Sequence, residues 1–172
     1  MRAFVTVGST RFDALIQEVI KEDILLSLSR SGYDEVSIQC GNSSFEFSSS
    51  VADGSVHDIE RAEVSVSCWK FKPNLEEEYE EADLVISHAG SGTILDVLRK
   101  GKRLIVVPNE TLLDNHQHEL AIALEEKNHL KSSTIADLAQ TINEINTAQL
   151  TPFPPHDGKL FAGVLDITMG FI

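Results

Sequence analysis

Only two cysteines, Cys40 and Cys68, occur in the 172 residues. They are far apart and lack Cys-x-x-Cys spacing, which argues against both a disulfide framework and a zinc site; both are expected to be reduced and partly buried. Basic residues are scarce: 14 Lys and Arg against 27 Asp and Glu give a formal net charge of −13. Affinity for nucleic acid comes largely from Lys and Arg neutralising phosphates, so no nucleic-acid partner is expected. The apolar run at residues 3–7 is too short for a signal peptide or a membrane span, and a cytoplasmic location is expected. No Asp-x-Asp pair occurs, and His116 and His118, two apart on an expected helix, face different directions. A metal is therefore not expected.

What is present is an ordinary globular composition, 42% hydrophobic and 24% charged, in a length suited to one domain with a real core. Short β-branched runs alternate with helical periodicity, the pattern of an α/β domain with a mostly parallel sheet and helices on both faces. Strands are expected at 3–7, 35–39, 64–68, 84–87 and 104–107, with a weaker one near 130–133. Leu15, Val19, Ile20, Ile24 and Leu28 predict one long helix over 12–31, ended by Gly32. Further helices are expected over 92–100, 116–127 and 135–146. The serine-rich segment 43–58 reads as a loop with a short helix, and the acidic run 76–81 as a solvated helix face. These elements form one domain over 1–150. Residues 151–172 read as a linker containing Pro152, Pro154 and Pro155, then a helix over 159–169.

In open α/β sheets ligands bind beyond the carboxyl ends of the strands, where strand order reverses. Three loops after strands carry suitable residues. Gly8-Ser9-Thr10-Arg11 offers a glycine turn with two hydroxyls. His88-Ala89-Gly90-Ser91-Gly92-Thr93 follows an apolar strand and opens a helix. Its glycines let backbone approach a ligand, and helix-start amides with Ser91 and Thr93 suit a diphosphate. Asp96, one turn on, suits ribose hydroxyls or simply the helix dipole. The third loop holds Asn115 and Gln117, which suit sugar hydroxyls or, for Asn115, a helix cap.

These motifs, with Gly101-Lys102-Arg103-Leu104-Ile105-Val106-Val107-Pro108, Asn115-His116-Gln117 and the opening Phe4-Val5-Thr6-Val7-Gly8-Ser9-Thr10, resemble a known family. It is the cytosolic subunit of the two-part UDP-N-acetylglucosamine transferase that adds the second GlcNAc to dolichol-linked oligosaccharide. The resemblance runs from residue 1 to about 131. It implies a Rossmann-like domain equivalent to the C-terminal half of a GT-B glycosyltransferase, held by a membrane-anchored acceptor-binding partner at the cytosolic face of the endoplasmic reticulum. The implied reaction moves GlcNAc from UDP-GlcNAc to GlcNAc-diphosphodolichol without a cofactor or metal. By the same resemblance Gly8, Ser9, Thr10, Gly90, Ser91, Gly92 and Thr93 contact phosphate, Asp96 the ribose, Asn115 and Gln117 the sugar, and Phe71 the uracil. His88 is the local candidate for a catalytic base, although the resemblance places the base in the acceptor half. Asp96 stands where the family pattern leads one to expect Glu. The alternative reading is a UDP-sugar-binding module without transferase activity.

Overall fold

The computed structural model describes residues 1–109 and 116–155. Its seven-stranded sheet has the order β3-β4-β2-β1-β5-β6-β7. The strands are β1 (Arg2–Thr6), β2 (Glu35–Gln39), β3 (His57–Arg61), β4 (Val64–Trp69), β5 (Leu84–His88), β6 (Arg103–Val107) and β7 (Lys131–Ser132). All neighbouring pairs are parallel except β3 with β4. The α/β, Rossmann-like class read from the sequence is the observed one.

Strand alternation divides the core in two. Ala3, Val5 and Val7 enter one cluster with α1 (Asp13–Val19), α2 (Glu22–Arg30) and α6 (Leu138–Ile145). Phe4 points the other way and joins Tyr79 of α3 (Glu76–Glu81), Ile94, Val97 and Leu98 of α4 (Ser91–Arg99) and Ala121 of α5 (His116–Glu126). Helices thus cover both faces, each through an apolar stripe. Cys40 and Cys68 are free and buried, and burial pushes the Cys68 thiol up to about 12. Neither is a ready nucleophile.

Three expectations need correction. The first crossover is two helices: Ile20 closes α1, and Lys21, in extended conformation, opens α2. Glu22 and Asp23 then favour a new helix start, and Asp23 Oδ1 accepts the Ile24 amide at 3.0 Å. The segment 43–58 holds a 3-10 turn at Ser48–Ser50 and runs into β3, an antiparallel edge strand that sequence reading missed. Its charged residues Asp58, Glu60 and Arg61 hide its alternation and also blunt the edge.

The acidic run is helical but not uniformly solvated. Glu78 is buried, paired with Arg2 at 2.6 Å and with Lys72. At the chain's far end, Thr151 donates its amide to Asn128 O at 2.7 Å, and Phe153 stacks edge-on against His129. The segment expected to form a last helix lies outside the described residues, and no described helix is long and apolar enough to cross a membrane.

Candidate functional site

The strand order reverses between β1 and β5, so the turns after these two strands flank one crevice at the carboxyl edge of the sheet. They are Gly8-Ser9-Thr10 and His88-Ala89-Gly90, the two loops singled out from the sequence. Gly8 has φ +61°, a conformation that favours glycine. Its amide donates to Thr6 Oγ1 at 3.0 Å, and the Thr10 hydroxyl donates to Val7 O at 2.7 Å. Ser9 is the exposed residue at the tip.

Across the crevice, the His88 ring is wedged between the two turns. It is 6% exposed, and a Cβ built on Gly8 would lie 2.5 Å from its Cε1 while one on Gly90 would lie 2.3 Å from its Nε2. These glycines therefore clear space for the imidazole. Gly92 differs: its φ is ordinary and nothing lies within 4 Å of a Cβ built there. Among the described residues nothing in the chain explains a glycine in the first turn of α4, where it weakens the helix relative to alanine.

Gly90 is the N-cap and its carbonyl accepts the Ile94 amide at 3.0 Å. The amides of Ser91, Gly92 and Thr93 have no acceptor among the described residues and point out of the helix start. Desolvation by burial lowers the His88 pKa from the ordinary 6.5, opposed by the nearby Thr6 backbone, so the ring is neutral at pH 7. His88 Nδ1 and Gln117 Oε1 are buried without a hydrogen-bond partner among the described residues.

Asp96 is exposed on α4 and lines an open cleft of about 540 Å³ with Asn74, Tyr79 and Lys100. Burial raises the pKa of the Tyr79 hydroxyl, opposed by the neighbouring Thr93 side chain at the α4 start. Phe71, 48% exposed just beyond β4, has its ring edge 3.5 Å from a Cβ built on Gly41. Gln117 lies at the start of α5, and Asn115 lies outside the described residues. A second cleft, about 560 Å³, opens between Phe12, Asn109, His118 and Asp137.

Arg11 is engaged within its own turn. Its guanidinium holds Asp13 through bonds of 2.8 and 2.6 Å and reaches Ser44 Oγ at 3.0 Å. No group of three His, Cys, Asp or Glu converges among the described residues. Sequence reasoning missed Thr6 and Gln39, whose side chains hold the Gly8 turn. Their only signal is a polar group among residues that are otherwise core.

Fold and crevice together define a Rossmann-like α/β domain, the class to which glycosyltransferase domains of this architecture belong. Residues 2–167 match the family model of the glycosyltransferase family 28 C-terminal domain, and the chain belongs to that family. It is 40% identical over 131 residues to the UDP-N-acetylglucosamine transferase subunit ALG13 of Mus musculus, a match covering 75% of this chain and 10% of that protein. The chain thus spans only a small part of the mouse relative. With the ALG13 subunit of Cryptococcus neoformans it shares 32% identity over 191 aligned positions, covering 97% of this chain and 96% of that one.

Among solved structures, the NMR structure of ALG13 superposes with a TM-score of 0.68 at 27% identity, covering 95% and 94% of the two chains. MurG of Acinetobacter baumannii shares the fold, with a TM-score of 0.58 at 21% identity over 85% of this chain and 40% of MurG.

Proposed function

We propose that this chain binds UDP-GlcNAc in the crevice between β1 and β5 and is the donor half of a transferase whose acceptor half is another polypeptide. One observation carries this reading: at the start of α4, beside β1's turn in the strand order, three amides have no acceptor among the described residues and open space lies over Gly92. Helix-start amides carry partial positive charge and suit a diphosphate, even in a chain of net charge −13. The names of the ALG13 relatives support UDP-GlcNAc as donor, and the word subunit in them supports a partner.

In this reading Ser9, Ser91, Gly92 and Thr93 hold the diphosphate, and Gly8, Thr10 and Gly90 shape the turns around it. Asp96 takes the ribose, Phe71 the uracil, and Asn115 with Gln117 the sugar. The acceptor is GlcNAc-diphosphodolichol, presented by a membrane-anchored partner at the cytosolic face of the endoplasmic reticulum. Its hydroxyl attacks the anomeric carbon of GlcNAc with inversion, the bond to UDP breaks, and a base on the acceptor side takes the proton. The α4 amides stabilise the charge that gathers on departing UDP, so the proposal involves no metal. His88, sealed between two backbones, keeps the turns apart.

The test is titration with UDP-GlcNAc, UDP-glucose and GDP-mannose, then transfer assays with and without membranes carrying the candidate partner. UDP-GlcNAc should bind most tightly, and turnover should require the membranes. Gly92→Ala should stabilise the fold by about 0.5–1 kcal/mol while weakening UDP-GlcNAc binding about tenfold. Unchanged binding in that variant would remove the α4 start from the site. Donor binding without turnover under any condition would leave a UDP-sugar-binding module.

A further inference from the structure

A single buried amide joins the two strand ends on which donor binding depends. Gln39 closes β2 with 2% of its surface exposed, on the sheet face it shares with Thr6. Both hydrogens of its Nε2 go to loop carbonyls beyond other strands, 2.7 Å to Gly8 O after β1 and 3.1 Å to Lys70 O after β4. Its Oε1 accepts the Thr6 hydroxyl, whose oxygen accepts the Gly8 amide at 3.0 Å. One side chain therefore grips the Gly8 peptide twice, at the carbonyl directly and at the amide through Thr6.

The backbone supplies only part of this alignment. Register pairing ends at Thr6 with Gln39 and at Gln39 with Trp69, and just past it Val7 N donates to Gln39 O at 3.3 Å and Cys40 N to Trp69 O at 2.9 Å. Beyond these bonds Gly8 has no backbone partner among the described residues, and Lys70 accepts one long bond, from Gly41 N at 3.3 Å. A buried amide costs stability unless every one of its bonds is made, and here an apolar side chain would pack without that demand. The donors and acceptors of Gln39 all match, and they match groups on two different loops.

We infer that Gln39 is a positioning residue for donor binding. It sets the spacing between the strand end leading to Phe71 and the Gly8 turn, so that base and diphosphate subsites fit one nucleoside diphosphate. The inference rests on the nucleotide reading given above. Buried as it is, Gln39 acts through Gly8 and Lys70 and not by touching the donor.

The test compares UDP binding by calorimetry in wild type, Gln39→Met and Gln39→Glu at about pH 7.5 and about pH 5.5, under conditions where circular dichroism shows each protein folded. Met keeps the length and removes the hydrogen bonds, and should bind about tenfold more weakly than wild type at both pH values. Glu as a carboxylate offers neither loop a hydrogen. Protonated, it donates again to one carbonyl, so its deficit relative to wild type should shrink at the lower pH. A merely structural role would lower the melting temperature without this recovery of affinity in folded protein.

Binding within about twofold of wild type in both variants would overturn the inference. Should neither variant fold, Thr6→Ser and Thr6→Val decide. Ser keeps the bridging hydroxyl and should bind as wild type does, Val should bind about fivefold more weakly, and equal binding by the two would sink the inference. Wild type that fails to bind UDP defeats the nucleotide reading itself, an outcome distinct from failure in the variants alone.

Discussion

His88 is fixed by what its neighbours lack. The missing Cβ atoms of Gly8 and Gly90 make a slot that admits the ring and excludes water, and the cost falls on the charged imidazole. Because the folded state binds the proton less readily than the unfolded chain, the stability tied to this residue is whole above 6.5. It is lost as the pH falls through the lowered folded-state value. The melting temperature should therefore drop between about pH 7 and about pH 5, and His88→Gln should flatten that slope. An equally steep slope in the variant would assign the loss to other groups.

The sequence motif was legible at this scale, but the division of labour inside it was not. Three glycines look alike in one dimension; only the packing separates two that clear a ring from one that faces open space. Gln39 was illegible for a similar reason. A glutamine at the end of a strand reads as a polar boundary until the carbonyls of Gly8 and Lys70 are found within its reach.

Among elements, the apolar central strands were read almost to the residue, since burial on both faces leaves a strong hydrophobic signature. Edges and breaks were not. β3 carries its charges on an exposed edge, and the α1 to α2 break has no glycine or proline to announce it. The turn between β3 and β4 adds a physical oddity: Ala62 and Glu63 both adopt left-handed backbone, with φ of 53° and 62°. A two-residue hairpin of this kind favours Asn-Gly, because side chains with a Cβ are strained there.

Replacing Ala62-Glu63 by Asn-Gly should raise stability by about 1 kcal/mol, read as a shift of the urea midpoint with an unchanged m-value. Donor affinity should stay the same, because this turn precedes β4 and lies at the opposite end of the sheet from the crevice. A change in affinity would mean that the two ends are mechanically linked.

For the whole molecule, the order of strands decides where binding groups gather. β1 and β5 are separated by 77 residues yet run side by side, and the chain leaves β1 toward β2 but β5 toward β6, so the turns after the two strands diverge. A donor seated there touches loops from both halves of the sheet, so it should oppose global unfolding. UDP-GlcNAc at about one hundred times its dissociation constant should raise the melting temperature by roughly 5–10 °C, with GDP-mannose giving less at the same concentration. A shift of under about 1 °C at saturation would show that the ligand holds only one local segment.

The imidazole slot also constrains how the chain can change over generations. Alanine at position 90 meets no backbone obstacle of its own, since Gly90 has an ordinary φ; it meets only the ring of residue 88. Substitutions at these two sites should thus be tolerated jointly and penalised singly, so that lineages which shrink the ring regain freedom at the glycine while the rest keep both.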